Sequence, residues 1–312
     1  MIILKELINK LFIKKLIMIT VLLFSSIILS NTKSFEFSLS EIKKINIESN
    51  ISNINIYYSE KNSLICFYEN ELNIFPDILF KKDFDLINLT ETLNKNNPFF
   101  LLKKFVFNSN QNNNSLKSGT FTVMTNKKDD AIFVSYKGNI KLKKIFTNYR
   151  LIAKNTIGNI FPFSISSKNI YLENVNGKIL SNNFISNGEL EIKNDRGDID
   201  LKNFSNTVFS KIINKEGNIK LTASVNKMYI KNVFGNISLY LKKFNKCEIN
   251  QSFGTTLIVL NKNQKYDYEI QAPNIIFFNK NYTKKLNIKN GNNKLKIFSK
   301  NTVIIQDISN LD

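Results

Sequence analysis

Glycines recur through the second half of this chain at a nearly fixed interval. Gly138, Gly158, Gly177, Gly197, Gly217, Gly235 and Gly254 are separated by 20, 19, 20, 20, 18 and 19 residues. Two places beyond each glycine stand Ile140, Ile160, Ile179, Ile199, Ile219, Ile237 and Thr256. Four places beyond come Leu142, Pro162, Ser181, Leu201, Leu221, Leu239 and Ile258. Five places before are Phe133, Ala153, Leu172, Ile192, Ile212, Ile230 and Ile249, and seven before are Ala131, Leu151, Ile170, Leu190, Ser210, Met228 and Cys247.

Alternation with period two on both sides of each glycine marks half-buried strands. The glycine sits where a turn needs positive φ or close backbone approach. Asn139, Asn159, Asn218, Asn236 or Asp198 follows it in five of the seven copies, which suits a turn exit. A unit this small cannot bury its own apolar face, so the units must stack. These constraints predict an all-β fold, a single-stranded β-solenoid of about 19–20 residues per coil. With coils ~4.8 Å apart, the seven span ~35 Å. An antiparallel meander with a glycine at each hairpin tip is the competing arrangement. Equal spacing of every second strand favours the solenoid.

The register explains the segment "NDRGDIDL" at 194–201. Arg196-Gly197-Asp198 is the repeat's own glycine followed by its Asn/Asp, with an arginine in front. Asp195, Asp198 and Asp200 fall on outward positions of one coil. A calcium-binding solenoid repeats Gly and Asp every nine residues, which this chain does not. The same register puts Cys247 in an inward column. With only Cys66 and Cys247 present there is no disulfide framework, and Cys247 reads as a core residue.

A degenerate first coil precedes the array, with Ile45 and Ile47, then Ser52 in the glycine slot, then Ile54 and Ile56. Residues 72–118 interrupt the pattern. Pro76 and Asp77 signal a helix entry, and Leu79, Phe80, Phe84, Ile87 and Leu93 follow at helical spacing, so a short helical or loop insertion is expected there. Phe99–Phe107 reads as a cap on the open end of the stack, with a membrane-surface segment as the alternative. Near the C-terminus, Asn290-Gly291 lies between Leu286/Ile288 and Leu295/Ile297 and predicts a closing hairpin.

Residues 1–30 carry Lys5, Lys10, Lys14 and Lys15, then an apolar run from Leu16 to Leu29. That run is short of the ~20 residues of a spanning helix and fits the apolar core of a signal peptide. An uncleaved signal anchor is the alternative. Either way the body, residues 41–308, is expected outside the cytoplasm: in the periplasm, the cell envelope or on the cell surface. The chain has no His, which excludes Ser-His and Cys-His nucleophile pairs and His-ligated metals. Its net charge is +19, but 42 of 44 basic residues are lysine, dispersed and mixed with abundant Asn and Ile, as AT-rich coding produces. Nucleic acid is therefore not the expected partner. An anionic envelope or host polymer is the candidate, and the membrane is met only through the N-terminal segment.

The opening "INIESNISNINIYYSEKNSLICFYE" and the serial "GNIKL", "GKI", "GDIDL", "GNIKL" and "GNISL" units resemble the bacterial putative-adhesin domain of β-strand repeats, over about residues 41–305. The resemblance implies a right-handed β-solenoid in an envelope or surface protein, with no catalytic residues to carry over. The expected function is a non-catalytic binding or structural module. The alternatives are an envelope-sensing regulatory domain and a polysaccharide-acting enzyme. The enzyme reading needs a cluster of carboxylates on one flank, whereas here only Asp195, Asp198 and Asp200 lie close together. No catalytic, cofactor-binding or metal-ligating residue is singled out, and no cofactor is implied.

Overall fold

The computed structural model describes residues 31–38, 42–49, 52–58, 63–70, 77–83, 86–92, 120–125 and 128–308. The leader-like segment 1–30 and the Phe99–Phe107 stretch lie outside them. Among the described residues every regular element is a strand. Most coils contribute one strand before their glycine and one after it, and between Gly197 and Gly235 the two run together as the continuous strands Ile199–Glu216 and Ile219–Phe234. Successive coils pair in parallel, so the segments before the glycines stack as one face of a continuous sheet and those after them as the other. Their inward side chains fill the space between.

The predicted columns are continuous. Ile179 pairs with Ile199, Ile199 with Ile219, and Ile219 with Ile237, and all four are buried. On the other face, Phe133, Ala153, Leu172, Ile192, Ile212, Ile230 and Ile249 stack in register at zero exposure. Cys247 lies at the same depth as a free thiol, its pKa pushed far up by burial. The degenerate first coil is also where the sequence puts it. Ile45 and Ile47 pair with Ala131 and Phe133, and Ile54 and Ile56 with Ile140 and Leu142.

The uneven spacing has a local cause. In the 20-residue coil before Gly217, the partners of consecutive residues slip between Leu201 and Phe204 and again between Asn206 and Phe209. Each slip is one extra residue on the longer coil. Asn203, inside the first of these bulges, has a φ of 51°. Removing both bulges leaves the 18 residues between Gly217 and Gly235.

Both ends depart from simple stacking. The strand Leu86–Thr92 pairs in parallel with Lys44–Ser49, and Thr120–Thr125 with Asn53–Tyr58. The strands Lys44–Ser49 and Asn53–Tyr58 are thus flanked by Leu86–Thr92 and Thr120–Thr125 on one side and by Lys128–Lys137 and Ile140–Lys143 on the other. The helix expected after Pro76 is absent. Asp77–Asp83 and Leu86–Thr92 form an antiparallel hairpin. The reason is that Ile87 and Leu89 continue the inward columns of Ile45 and Ile47, and this long-range pairing overrides local helical spacing.

At the far end Asn293–Ser299 and Thr302–Asp307 insert between coil 246–260 and the strand Tyr266–Phe277. The expected hairpin around Asn290-Gly291 is replaced by another. Tyr266–Phe277 turns back on Lys280–Ile288 through Phe278 and Asn279, both at positive φ (46° and 67°), as a two-residue hairpin turn of the primed class demands. Asn290-Gly291 is instead a coil corner, where the Asp267 carboxylate accepts both backbone N–H groups.

Candidate functional site

The glycine corner is built from two amide ladders. Inside, three places before each glycine, Asn155, Asn174, Asn194, Asn214 and Asn232 each donate through Nδ2 to the glycine carbonyl of the preceding coil, at 2.9–3.2 Å. These side chains are at most 3% exposed. Outside, the residue after the glycine uses its side-chain oxygen to accept a backbone N–H from the next coil. Asn159 N–H donates to Asn139 at 2.9 Å, Asn218 to Asp198 at 3.0 Å and Asn236 to Asn218 at 2.9 Å. The outer ladder is the turn-exit pattern of the sequence. The inner one went unread, although Asn three places before the glycine is in plain view in five of seven copies.

Arg196, Gly197 and Asp198 are components of this corner. Arg196 faces Glu216 at 3.7 Å, and Asp198 faces Lys178 at 3.1 Å. The Asn218 backbone N–H holds the Asp198 carboxyl below its usual pKa; burial opposes this and Lys178 assists. Both charged side chains of the tripeptide are thus engaged by neighbouring coils.

Across the outward face of the segments before the glycines, carboxylates in the middle coils are matched by cations one coil away. Arg150 meets Asp130, Lys154 meets Glu173, Lys215 meets Asp195 and Lys211 meets Glu191, to which Lys193 adds a contact from the same strand. Burial pushes the Glu191 carboxyl up, but hydrogen bonds from Lys211 and Lys193 outweigh it and hold its pKa below the ordinary value.

Part of the basic excess forms a column on the later coils. Lys227 pairs with Lys246, and Lys246 with Lys294, giving three ammonium groups stacked on successive coils. Exposed Lys242 and Lys243 precede Lys246 at the same corner. Lys294 reaches Glu269 at 3.4 Å; among the described residues Lys227, Lys242, Lys243 and Lys246 make no ion pair. The column three places after the glycines is interrupted, since Lys220 lies between Asp200 and Ser238. Lys227 and Lys246 stand eight places before Gly235 and Gly254, a position outside the repeat's apolar signature, and Lys294 extends their column as far as Asp267. Among the described residues no group of three or more His, Cys, Asp or Glu is placed to hold a metal.

The family model of the Toastrack DUF4097 domain matches residues 42–304, from the first coil to the last inserted strand. The chain belongs to the Toastrack DUF4097 family. Solved structures similar to this Toastrack chain include a putative adhesin from Parabacteroides distasonis, at 12% identity and a TM-score of 0.45, covering 89% of this chain and 98% of that one. A putative adhesin from Bacteroides fragilis has 12% identity and a TM-score of 0.44, with 89% and 97% covered. A putative lipid binding protein from Parabacteroides distasonis has 11% identity and a TM-score of 0.45, again with 89% and 97% covered. No curated protein matches this Toastrack chain significantly.

Proposed function

We propose that this Toastrack protein is an exported, non-catalytic binding module of the cell envelope or cell surface, and that it holds an anionic polymer. The observation that carries the reading is the column Lys227, Lys246 and Lys294 with Lys242 and Lys243 beside it. Parallel stacking repeats a like charge every ~4.8 Å, a spacing that self-repels unless a polyanion lies against it. The paired middle coils provide the contrast: there the same fold neutralises its charges internally. The basic, then apolar, N-terminal sequence supports export.

The test is retention of the full-length chain on immobilised polygalacturonate in about 50 and about 300 mM salt, a range over which screening shortens markedly. Retention should be strong at the lower concentration, fall steeply at the higher, and drop in the Lys227→Gln/Lys246→Gln double variant. Retention that ignores either salt or the double variant sinks the reading. Export is checked separately by N-terminal sequencing of the protein from envelope fractions, which should begin beyond Ser30 if the leader is removed.

A further inference from the structure

The strands that start with the lysine column end at a cleft. Between the paired residues Gln251↔Ser299 and Thr256↔Val303, coil 246–260 has four corner residues, 252–255, and the inserted coil has three, 300–302. The shortened corner leaves a hollow. The Phe253 ring is stacked on Phe234 on one side, at 4.9 Å between centroids and an interplanar angle of 5°. The Lys300 ammonium lies 6.0 Å from the Phe253 ring centre. Both phenyl rings remain 49% exposed. The adjoining cleft, of about 310 Å³, is lined by Lys231, Asn250, Gln271, Phe298 and Lys300 among others, and its lining contains no carboxylate.

We propose that this cleft is a subsite for one acidic sugar unit, of the hexuronic acid class, within the polymer. A pyranose ring has an apolar C–H face that covers an exposed phenyl ring, which water solvates poorly. Lys231 and Lys300 stand on the same cleft to meet the carboxylate. Asn250 and Gln271 bring amide donors and acceptors of the kind ring hydroxyls require. The volume falls at the lower end of the ~300–1,000 Å³ of small-ligand sites, which suits a single unit of a chain better than a large ligand. Position links cleft and column: Lys227 to Lys231, Lys246 to Asn250 and Lys294 to Phe298 are each four residues apart on one outward face. That is ~13 Å along the strand, so a chain lying parallel to the strands meets both.

The proposal rests on the polymer-binding reading, yet its test is separate. Digalacturonic acid, too short to bridge cleft and column, is titrated calorimetrically into the full-length protein beside its methyl ester and inorganic polyphosphate. The acid should bind, and the uncharged ester at least tenfold more weakly. Phe253→Ala and Lys300→Gln should each weaken the acid at least tenfold, while Lys141→Gln, exposed on an early coil, leaves it within twofold. Lys300 is exposed, so its variant carries the result even if Phe253→Ala proves unstable. Absence of binding, indifference to both variants, or equal loss with Lys141→Gln overturns the subsite. If the disaccharide binds as described while salt-sensitive polymer retention fails, the lysine column falls and the subsite stands. The reverse pattern removes the subsite alone.

Discussion

The carbonyl oxygen of Gly177 stands 2.1 Å from where a Cβ on Gly197 would be. The obstacle is backbone of the preceding coil, so no side chain can rotate away. The φ of Gly197 is 121°, which L-residues rarely adopt. The same relation recurs between Gly197 and Gly217, and between Gly217 and Gly235. Gly197→Ala should therefore cost roughly 3 kcal/mol or more, as strain and a backbone shift combine. Urea melts measure it, and a loss below ~1 kcal/mol contradicts the packed corner.

Ile219 is fully buried between Ile199 and Ile237. Ile219→Asp places an unpaired carboxylate in the dry column and should destabilise by on the order of 4 kcal/mol. Ile219→Val removes one methyl group and should cost about 1 kcal/mol. Chemical denaturation of the pair checks the register, because similar effects from both variants require Ile219 to face outward.

The inner ladder makes a prediction of opposite pH sign to ordinary acid denaturation. Asn214→Asp replaces the Nδ2 donor facing the Gly197 carbonyl with either a carboxylate or, once protonated, a hydroxyl donor. The folded state favours the protonated form, so the introduced group has a raised pKa in the native protein. Stability relative to wild type is then best below the unfolded carboxyl pKa of ~4 and is lost as pH rises through the raised native value. Thermal melts at a series of pH values read this directly.

Asp198 stands on an outward slot, where its carboxylate accepts the Asn218 backbone N–H and faces Lys178. Asp198→Ala should cost about 1 kcal/mol, whereas Asp198→Asn keeps an acceptor and should cost less than half of that. Because the native pKa of Asp198 is depressed, its ionic contribution is present above the unfolded pKa and disappears as pH falls through the lower native one. Wild type and Asp198→Asn should therefore converge in strong acid, a comparison made by melting both below about pH 3.

The repeat was legible because its two strongest constraints act on single residue types. Only glycine clears the carbonyl beneath Gly197, and the column of Ile219 is apolar from Ile140 to Ile237, with Thr256 the one polar member. The inner asparagines carry an equally regular signal, but the chain's high Asn content hid it. Ile87 was read at helical spacing because its partner, Ile45, lies 42 residues away, as Ile47 does from Leu89. Local spacing contains nothing of that pairing. The lysine column was missed for a related reason: Lys227, Lys246 and Lys294 align only once coil 293–307 is known to adjoin coil 246–260. The cleft depends on the same insertion.

Spatial order and chain order disagree at both ends, and this sets how the molecule can be assembled. A simple stack grows by adding each new coil to an exposed edge. Here Asn293–Ser299 and Thr302–Asp307 occupy a berth already bounded by coil 246–260 on one side and Tyr266–Phe277 on the other. The last part of the chain is a keystone. A chain stopped before it would not be a shorter rod with a clean end; its outermost hairpin would be left without the layer on which it rests.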